Sequence, residues 1–279
     1  MSGGAAAGSV DPVTAVTSRR DPGTLVNVWR FRMLARTLTR HHLILKYRNS
    51  MLGFLWTILA PLGSMAVLVV VFSYVIRIPL ERYWAFLLSG YFVWVFFSNV
   101  VGGAVGVFRE YAALRRSVAF PNEVVILGSA GARLTELLAE LALISIALAV
   151  FHHGSVPLSF ITLPPLIVLL AALVVGCAIP IATLSLLFHD IAHAVPIALG
   201  LLFYLSPVFY PASMVPEDFR LAYLANPVAG LLTMFHSVLY EGVFPSTALS
   251  AATVASTLVI LVAGWAILNR YRDILPEVG

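Results

Sequence analysis

The chain has 279 residues, 60% of them hydrophobic and only 11% charged, with 17 Lys and Arg against 13 Asp and Glu for a formal net charge of +4 and a mean hydropathy of +0.95. Such usage excludes an ordinary soluble globular domain, and one cysteine, Cys177, excludes a disulfide framework or a cysteine metal site. The length accommodates about six membrane spans and little besides.

Residues 1–21 are rich in Ala, Gly, Ser and Val with no compact apolar run before Arg19 and Arg20, so they read as a disordered cytosolic tail and not as a signal peptide. Residues 22–48 read as an amphipathic interface helix. Asp21-Pro22 is a start signal, and at about 100° per residue Phe31, Leu34, Leu38 and Leu45 share one stripe while Arg32, Arg36 and Arg40 lie opposite. This helix either anchors the chain to anionic headgroups or also frames the mouth of a pathway.

Between Asn49 and Ile76 no side chain is charged. A span needs roughly 20 apolar residues at about 1.5 Å rise to cross about 30 Å of hydrocarbon, and only helices satisfy every backbone group of a single segment there. Six such segments are expected, Phe54 to Ile76, Trp84 to Phe108, Val124 to Phe151, Ile161 to Leu187, Ile191 to Tyr210 and Thr247 to Leu268, giving an all-α six-span domain over residues 49–272 with a cytosolic tail at 273–279. Basic residues gather before the first span, around the second loop (Arg109, Arg115, Arg116, Arg133) and after the last span (Arg270, Arg272), whereas Arg77, Arg82 and Arg220 fall elsewhere. The positive-inside rule then places both termini in the cytosol of a multi-pass protein.

Arg133, Glu136 and Glu140 share one face near the start of the third span, either as an ion pair reaching for the interface or as the lining of a path. Hydrolysis by the two carboxylates is disfavoured, since no electrophile or metal partner accompanies them. His41-His42 and His152-His153 read as interfacial residues, because adjacent side chains diverge and no acidic or Cys set completes a metal site. Trp56, Tyr74, Trp84, Tyr91, Trp94, Phe96, Phe97, Tyr204, Phe209 and Tyr210 form either interfacial belts and lipid-facing core or a stacking surface for sugars. Pro207, Pro211, Pro216 and Asn226-Pro227 alternate with apolar residues, a pattern of short re-entrant helices between spans five and six. The only lysine, Lys46, has no glycine-rich turn before it, so the chain has no P-loop and is not its own motor.

Four places carry a family pattern: Tyr47-Arg48-Asn49-Ser50-Met51-Leu52-Gly53-Phe54-Leu55-Trp56 leading to Pro61, the loop Leu114 to Glu123, Phe188-His189-Asp190-Ile191, and Ser206-Pro207-Val208-Phe209-Tyr210-Pro211 followed by Val215-Pro216 and Asn226-Pro227. In this order and spacing, from about Arg30 to Arg272, the chain resembles the membrane subunits of bacterial type-2 ABC exporters of lipid-linked polysaccharides such as O-antigens, teichoic acids and cell-wall galactan. It departs at His189, where the family commonly has Arg, and at His236, in a neighbourhood where the family often carries Arg.

The resemblance implies a bacterial cytoplasmic-membrane permease that pairs with itself and with two copies of a separate ATPase, which binds the ATP and Mg. It also implies a polyprenyl-pyrophosphate glycan as substrate, with no cofactor, metal, nucleic acid or catalytic residue in this chain. Arg115, Arg116, Phe120 and Glu123, with His189 and Asp190, would then couple to the ATPase, and Pro207, Tyr210, Pro211, Pro216, Asn226 and Pro227 would form an external gate. Arg48, whose guanidinium matches phosphate oxygens, joins Trp56, Glu136, Glu140 and Tyr204 as a substrate-binding candidate; anchoring to anionic lipid is the alternative for Arg48. A small-molecule or antibiotic exporter of the same class is the rival reading, and a membrane-embedded lipid-modifying enzyme is disfavoured for want of a catalytic constellation.

Overall fold

The computed structural model describes residues 32–48, 51–111, 122–151 and 156–271, and no strand occurs among them. The helices are α1 (Arg32–Tyr47), α2 (Trp56–Val70), α3 (Tyr83–Ala104), α4 (Val107–Glu110), α5 (Asn122–Phe151), α6 (Leu163–Leu187), α7 (Ile191–Tyr204), α8 (Glu217–Leu224), α9 (Pro227–His236) and α10 (Thr247–Tyr271). Single π-helical stretches, Val71–Val75 and Ser237–Glu241, extend α2 and α9.

Four helical segments among the described residues are long and apolar enough to cross a membrane: Gly53–Val75, Tyr83–Ala104, Leu158–Leu187 and Thr247–Tyr271. Glu217–Leu224 with Pro227–Glu241, bent by 101°, makes a fifth if that pair counts as one broken span. α5 is a further helix of 30 residues, and it carries Arg133, Glu136 and Glu140. The expected end of the fifth span is corrected from Tyr210 to Tyr204. α7 stops at Tyr204 after 14 residues, about 21 Å at 1.5 Å per residue; the chain turns over Leu205–Val208, and a proline at 207 disfavours helical backbone at the residue before it.

The expected start of the amphipathic helix, Asp21-Pro22, and Phe31 lie outside the described residues. Within α1, Arg32, Arg36 and Arg40 are exposed, Leu38 is buried and Leu34 half-buried. Its apolar stripe is laid against α5: a Cβ at Gly128 would stand 2.8 Å from Leu38 Cβ and one at Gly131 2.8 Å from Thr39 Oγ1. Thr39 Oγ1 also donates to the Gly128 carbonyl at 3.0 Å. The described part of the stripe, Leu34 and Leu38, therefore packs on protein, in a helix whose end lines a cavity through Lys46.

Elsewhere small residues allow close crossing, as usual where lipid removes any hydrophobic drive between helices. A Cβ on Gly264 of α10 would collide with the Gly176 carbonyl of α6, and one on Gly176 would stand 2.9 Å from Leu261 Cα. α3 is the central helix, 72% of its apolar window being buried, against 11% for the segment containing α2. That contrast leaves one side of α3 facing a thinly packed α2.

Candidate functional site

Between α2 and α3 runs a groove made of two adjoining cavities. The first, of about 390 Å³, is lined by Lys46 from α1, by Trp56, Thr57, Ala60, Pro61 and Ser64 from α2, by Tyr91, Val95 and Asn99 from α3, and by Glu136 and Glu140 from α5. The second, of about 550 Å³, shares Ser64, Tyr91, Val95 and Asn99 with it and continues past Trp94 and Ser98 to Phe203 of α7. One end of the groove therefore lies beside the basic residues of α1 and α5, and the other at Phe203, on whose ring Phe209 of the proline-rich segment packs.

At the basic end, Lys46 Nζ lies 2.6 Å from Glu136 Oε1, and Arg133 Nη1 lies 3.3 Å from Glu136 Oε2. The α1–α5 contact places Lys46 within reach of a carboxylate 90 residues away in sequence. Glu140, one turn further along α5, is 4% exposed, lines the cavity and makes no hydrogen bond or ion pair among the described residues. Both cations converge on Glu136, and Glu140 adds a second carboxyl group to the same wall. The carboxyl of Glu140, the Asn99 amide, the hydroxyl of Ser64 and the rings of Trp56 and Tyr91 supply hydrogen-bonding groups and stacking surface together, a lining suited to a polyhydroxylated molecule.

At the other end, the turn after α7 is held by side chains donating to its carbonyls. Tyr83 Oη donates to Phe209 O at 2.7 Å, His236 Nε2 to Pro207 O at 2.7 Å, and Asn226 Nδ2 to Leu205 O at 3.3 Å and to Ser206 Oγ at 3.2 Å. Tyr223 Oη donates to Tyr210 Oη, which donates onward to Tyr204 O. Phe209 packs on Phe72 at 4.8 Å and on Phe203 at 5.4 Å between ring centroids. The prolines punctuate this lid: Pro211 precedes a short 3₁₀ turn, Pro216 precedes α8, and Pro227 opens α9 behind the capping Asn226, whose Oδ1 accepts from Val228 N.

The structure thus brings Trp56, Glu136 and Glu140 together in one cavity, and places Pro207, Tyr210, Pro211, Pro216, Asn226 and Pro227 in one hydrogen-bonded segment of turns and short helices between α7 and α9. Arg48 is exposed in the turn after α1 and does not line the cavity. Tyr204 is 65% exposed and belongs to the lid cluster, packing on Phe203 and Phe209. Arg115, Arg116 and Phe120 lie outside the described residues. Glu123 is buried at 2% exposure in the first turn of α5, where the helix dipole favours an acid; His189 and Asp190 stand exposed in the turn between α6 and α7.

His41 is exposed, while His42 faces Tyr111 Oη at 3.4 Å and Glu110 at 3.6 Å. His152 and His153 fall outside the described residues. Sequence reasoning passed over Lys46, Asn99 and His236 as site residues. Lys46 had one usable signal, being the only lysine in a chain rich in Arg.

Several helices long and apolar enough to span a bilayer, with a groove along one of them and a helix pair bent by 101° beyond it, describe a multi-pass helical membrane protein. The profile of the ABC-2 type transporter membrane family matches residues 33–240, and the chain belongs to that family. It is 30% identical over 253 residues to the O-antigen export system permease protein RfbA of Myxococcus xanthus, covering 90% of this chain and 96% of that one. It is 27% identical over 243 residues to RfbA of Klebsiella pneumoniae, covering 86% and 93%. To the polysialic acid transport protein KpsM of Escherichia coli it is 27% identical over 229 residues, covering 80% and 86%.

Proposed function

We propose that this chain is the permease subunit of an ATP-driven exporter that moves a polyprenyl-pyrophosphate-linked cell-envelope polysaccharide out of the cytosol. It works as a homodimer with two copies of a separate ATPase, in the cytoplasmic membrane, with the basic end of the groove and both termini inside. α5 and α7 complete the six crossings in this reading. The observation that carries it is the groove, which offers hydroxyl-rich cargo both stacking surface and hydrogen-bonding groups along the middle of α3, from Tyr91 to Asn99. The similarity to O-antigen and polysialic acid transport proteins supports the substrate class.

In this reading Trp56, Glu140 and Asn99 contact sugar, while Glu136 holds Lys46 and Arg133 in place. The lipid pyrophosphate stays at the interface, where Arg48 is the guanidinium available to it. The loop with Arg115, Arg116 and Phe120, together with His189 and Asp190, meets the ATPase; Glu123 starts α5 behind it.

The test is depletion followed by complementation. Depletion is expected to accumulate lipid-linked glycan in the cytosol, and Glu140→Gln to restore normal protein level but export reduced several-fold. Normal glycan distribution after depletion would exclude the function, and full export by Glu140→Gln combined with Trp56→Ala would exclude the groove as the path.

A further inference from the structure

α3 does two things at once. Its middle lines the groove through Tyr91, Trp94 and Asn99, and its first turns hold the lid. Tyr83 Oη reaches Phe209 O, and the His236 ring stacks on Phe86 with centroids 4.0 Å apart and planes 11° from parallel. The ring occupies space left by Gly90, where a Cβ would stand 2.6 Å from His236 Cε1. A carbonyl only accepts, so Nε2 carries the hydrogen toward Pro207 O, and Nδ1, 2.6 Å from Ser89 Oγ, takes the hydroxyl hydrogen that Ser89 also points toward Phe86 O. His236 is 4% exposed, and Ser206 and Val208 on either side of its target are fully buried.

We propose that His236 and Tyr83 are the positioning residues of a latch that keeps the Ser206–Tyr210 turn shut over the outer end of the groove, and that cargo arriving in the groove releases it. The release path is physical contact. Trp94 and Phe203 line the groove, their rings lie 5.5 Å apart, and Phe203 packs in turn on Phe209, whose carbonyl Tyr83 holds. A sugar wedged beside Trp94 and Phe203 shifts Phe209 and strains the Tyr83 bond. Both latch donors are neutral and their acceptors are backbone carbonyls, so the turn closes again without any charged group having to cross lipid. The release step rests on the proposal that the groove is the export path; the closed latch does not.

The test uses full-length protein with its native partners in right-side-out membrane vesicles. Cys177 is replaced by Ala, and Ser98→Cys, in the groove wall beneath the turn, reports access to a membrane-impermeant thiol reagent added outside. Tyr83→Phe is expected to speed labelling roughly 3- to 10-fold without ATP, the effect of one lost neutral hydrogen bond. His236→Ala is expected to speed it further, and His236→Gln, which can donate to Pro207 O and accept from Ser89, to return it toward the parent rate. Parent-rate labelling in both Tyr83→Phe and His236→Ala overturns the latch. So does equal acceleration by His236→Gln and His236→Ala, which marks a packing role for the ring. Phe203→Ala is expected to abolish the rise in labelling that accompanies active export in the parent, and a rise that survives it overturns release by cargo. Failure of the pathway reading is separately visible, as export that continues after Ser98→Cys has been modified with a bulky reagent.

Discussion

At the basic end of the groove two cations share the Glu136 carboxylate, whereas at the proline-rich end Tyr83, His236 and Asn226 hold a turn through neutral donors to carbonyl and hydroxyl oxygens. The Lys46 side chain is 33% exposed, so solvent and salt screen that pair and its net worth is modest. The lid donor His236 is buried against a ring stack and a glycine, so its position is fixed by shape as well as by hydrogen bonds. The charged end therefore tolerates adjustment while the turn at the other end tolerates little, a difference in keeping with the entrance and exit of the proposed function.

The sharpest break of this contrast is Gly90→Ala. The new Cβ meets a ring that Phe86, Ser89 and Pro207 prevent from swinging away, and overpacking of this kind costs about 1–3 kcal/mol. The thermal midpoint of the purified protein should fall, and adding His236→Ala should recover part of it. An unchanged midpoint for Gly90→Ala would mean that the ring is loosely held.

Glu136→Ala comes next. It leaves Lys46 and Arg133 facing each other without their shared carboxylate, a loss of about 1–3 kcal/mol, the range for leaving polar groups unsatisfied, held down by the exposure of the cations. Thermal melts at low and high salt check the contrast directly. The parent should lose its ion-pair share at about 1 M salt, where the screening length is about 3 Å, and Glu136→Ala, left with two like charges, should gain stability there instead; equal salt dependence in both would deny the pair any stabilising role.

Asn226→Ala removes a helix cap and two bonds to the Leu205–Ser206 turn, and caps of this type are worth about 0.5–2 kcal/mol. Proteolysis confined to the 205–226 segment is the expected signature. Global loss of protection at the same rate would mean that lid and bundle unfold together.

The smallest effect is a pH dependence at the mouth. Burial pushes the His42 pKa below its ordinary 6.5, against the opposing pull of Glu110. Its neutral ring thus contributes stability that is complete above pH 6.5 and is lost as pH falls through the lower folded value. Replacing His42 by Gln should flatten the acid side of the midpoint-against-pH curve by a few tenths of a kcal/mol, an order set by its partial burial. A curve as steep as the parent's assigns that slope to other groups.

Much of the lid was legible in the chain, because proline and Asn-Pro act locally: Pro207 ends α7 by clashing with the backbone before it, and Asn226 caps α9 with its own side chain. Glu136 and Glu140 were legible as an expensive pair on an apolar helix. Lys46 and His236 were not, since each finds its partner through packing between distant segments, at 90 residues for Lys46 to Glu136 and 147 for Ser89 to His236. No periodicity connects such residues.

By itself the sequence determined that most of the described chain is apolar helix, where basic residues collect, and where the backbone must break, because these follow from hydropathy, charge counts and the local sterics of proline. Only the tertiary structure decided what covers each apolar face. The stripe of α1 reads the same whether it meets lipid or α5, since an amphipathic pattern reports that a face is apolar and not which apolar surface lies against it. Close approach at Gly128 and Gly131 gave that face to protein, carried Lys46 to Glu136, and so built the mouth of the groove.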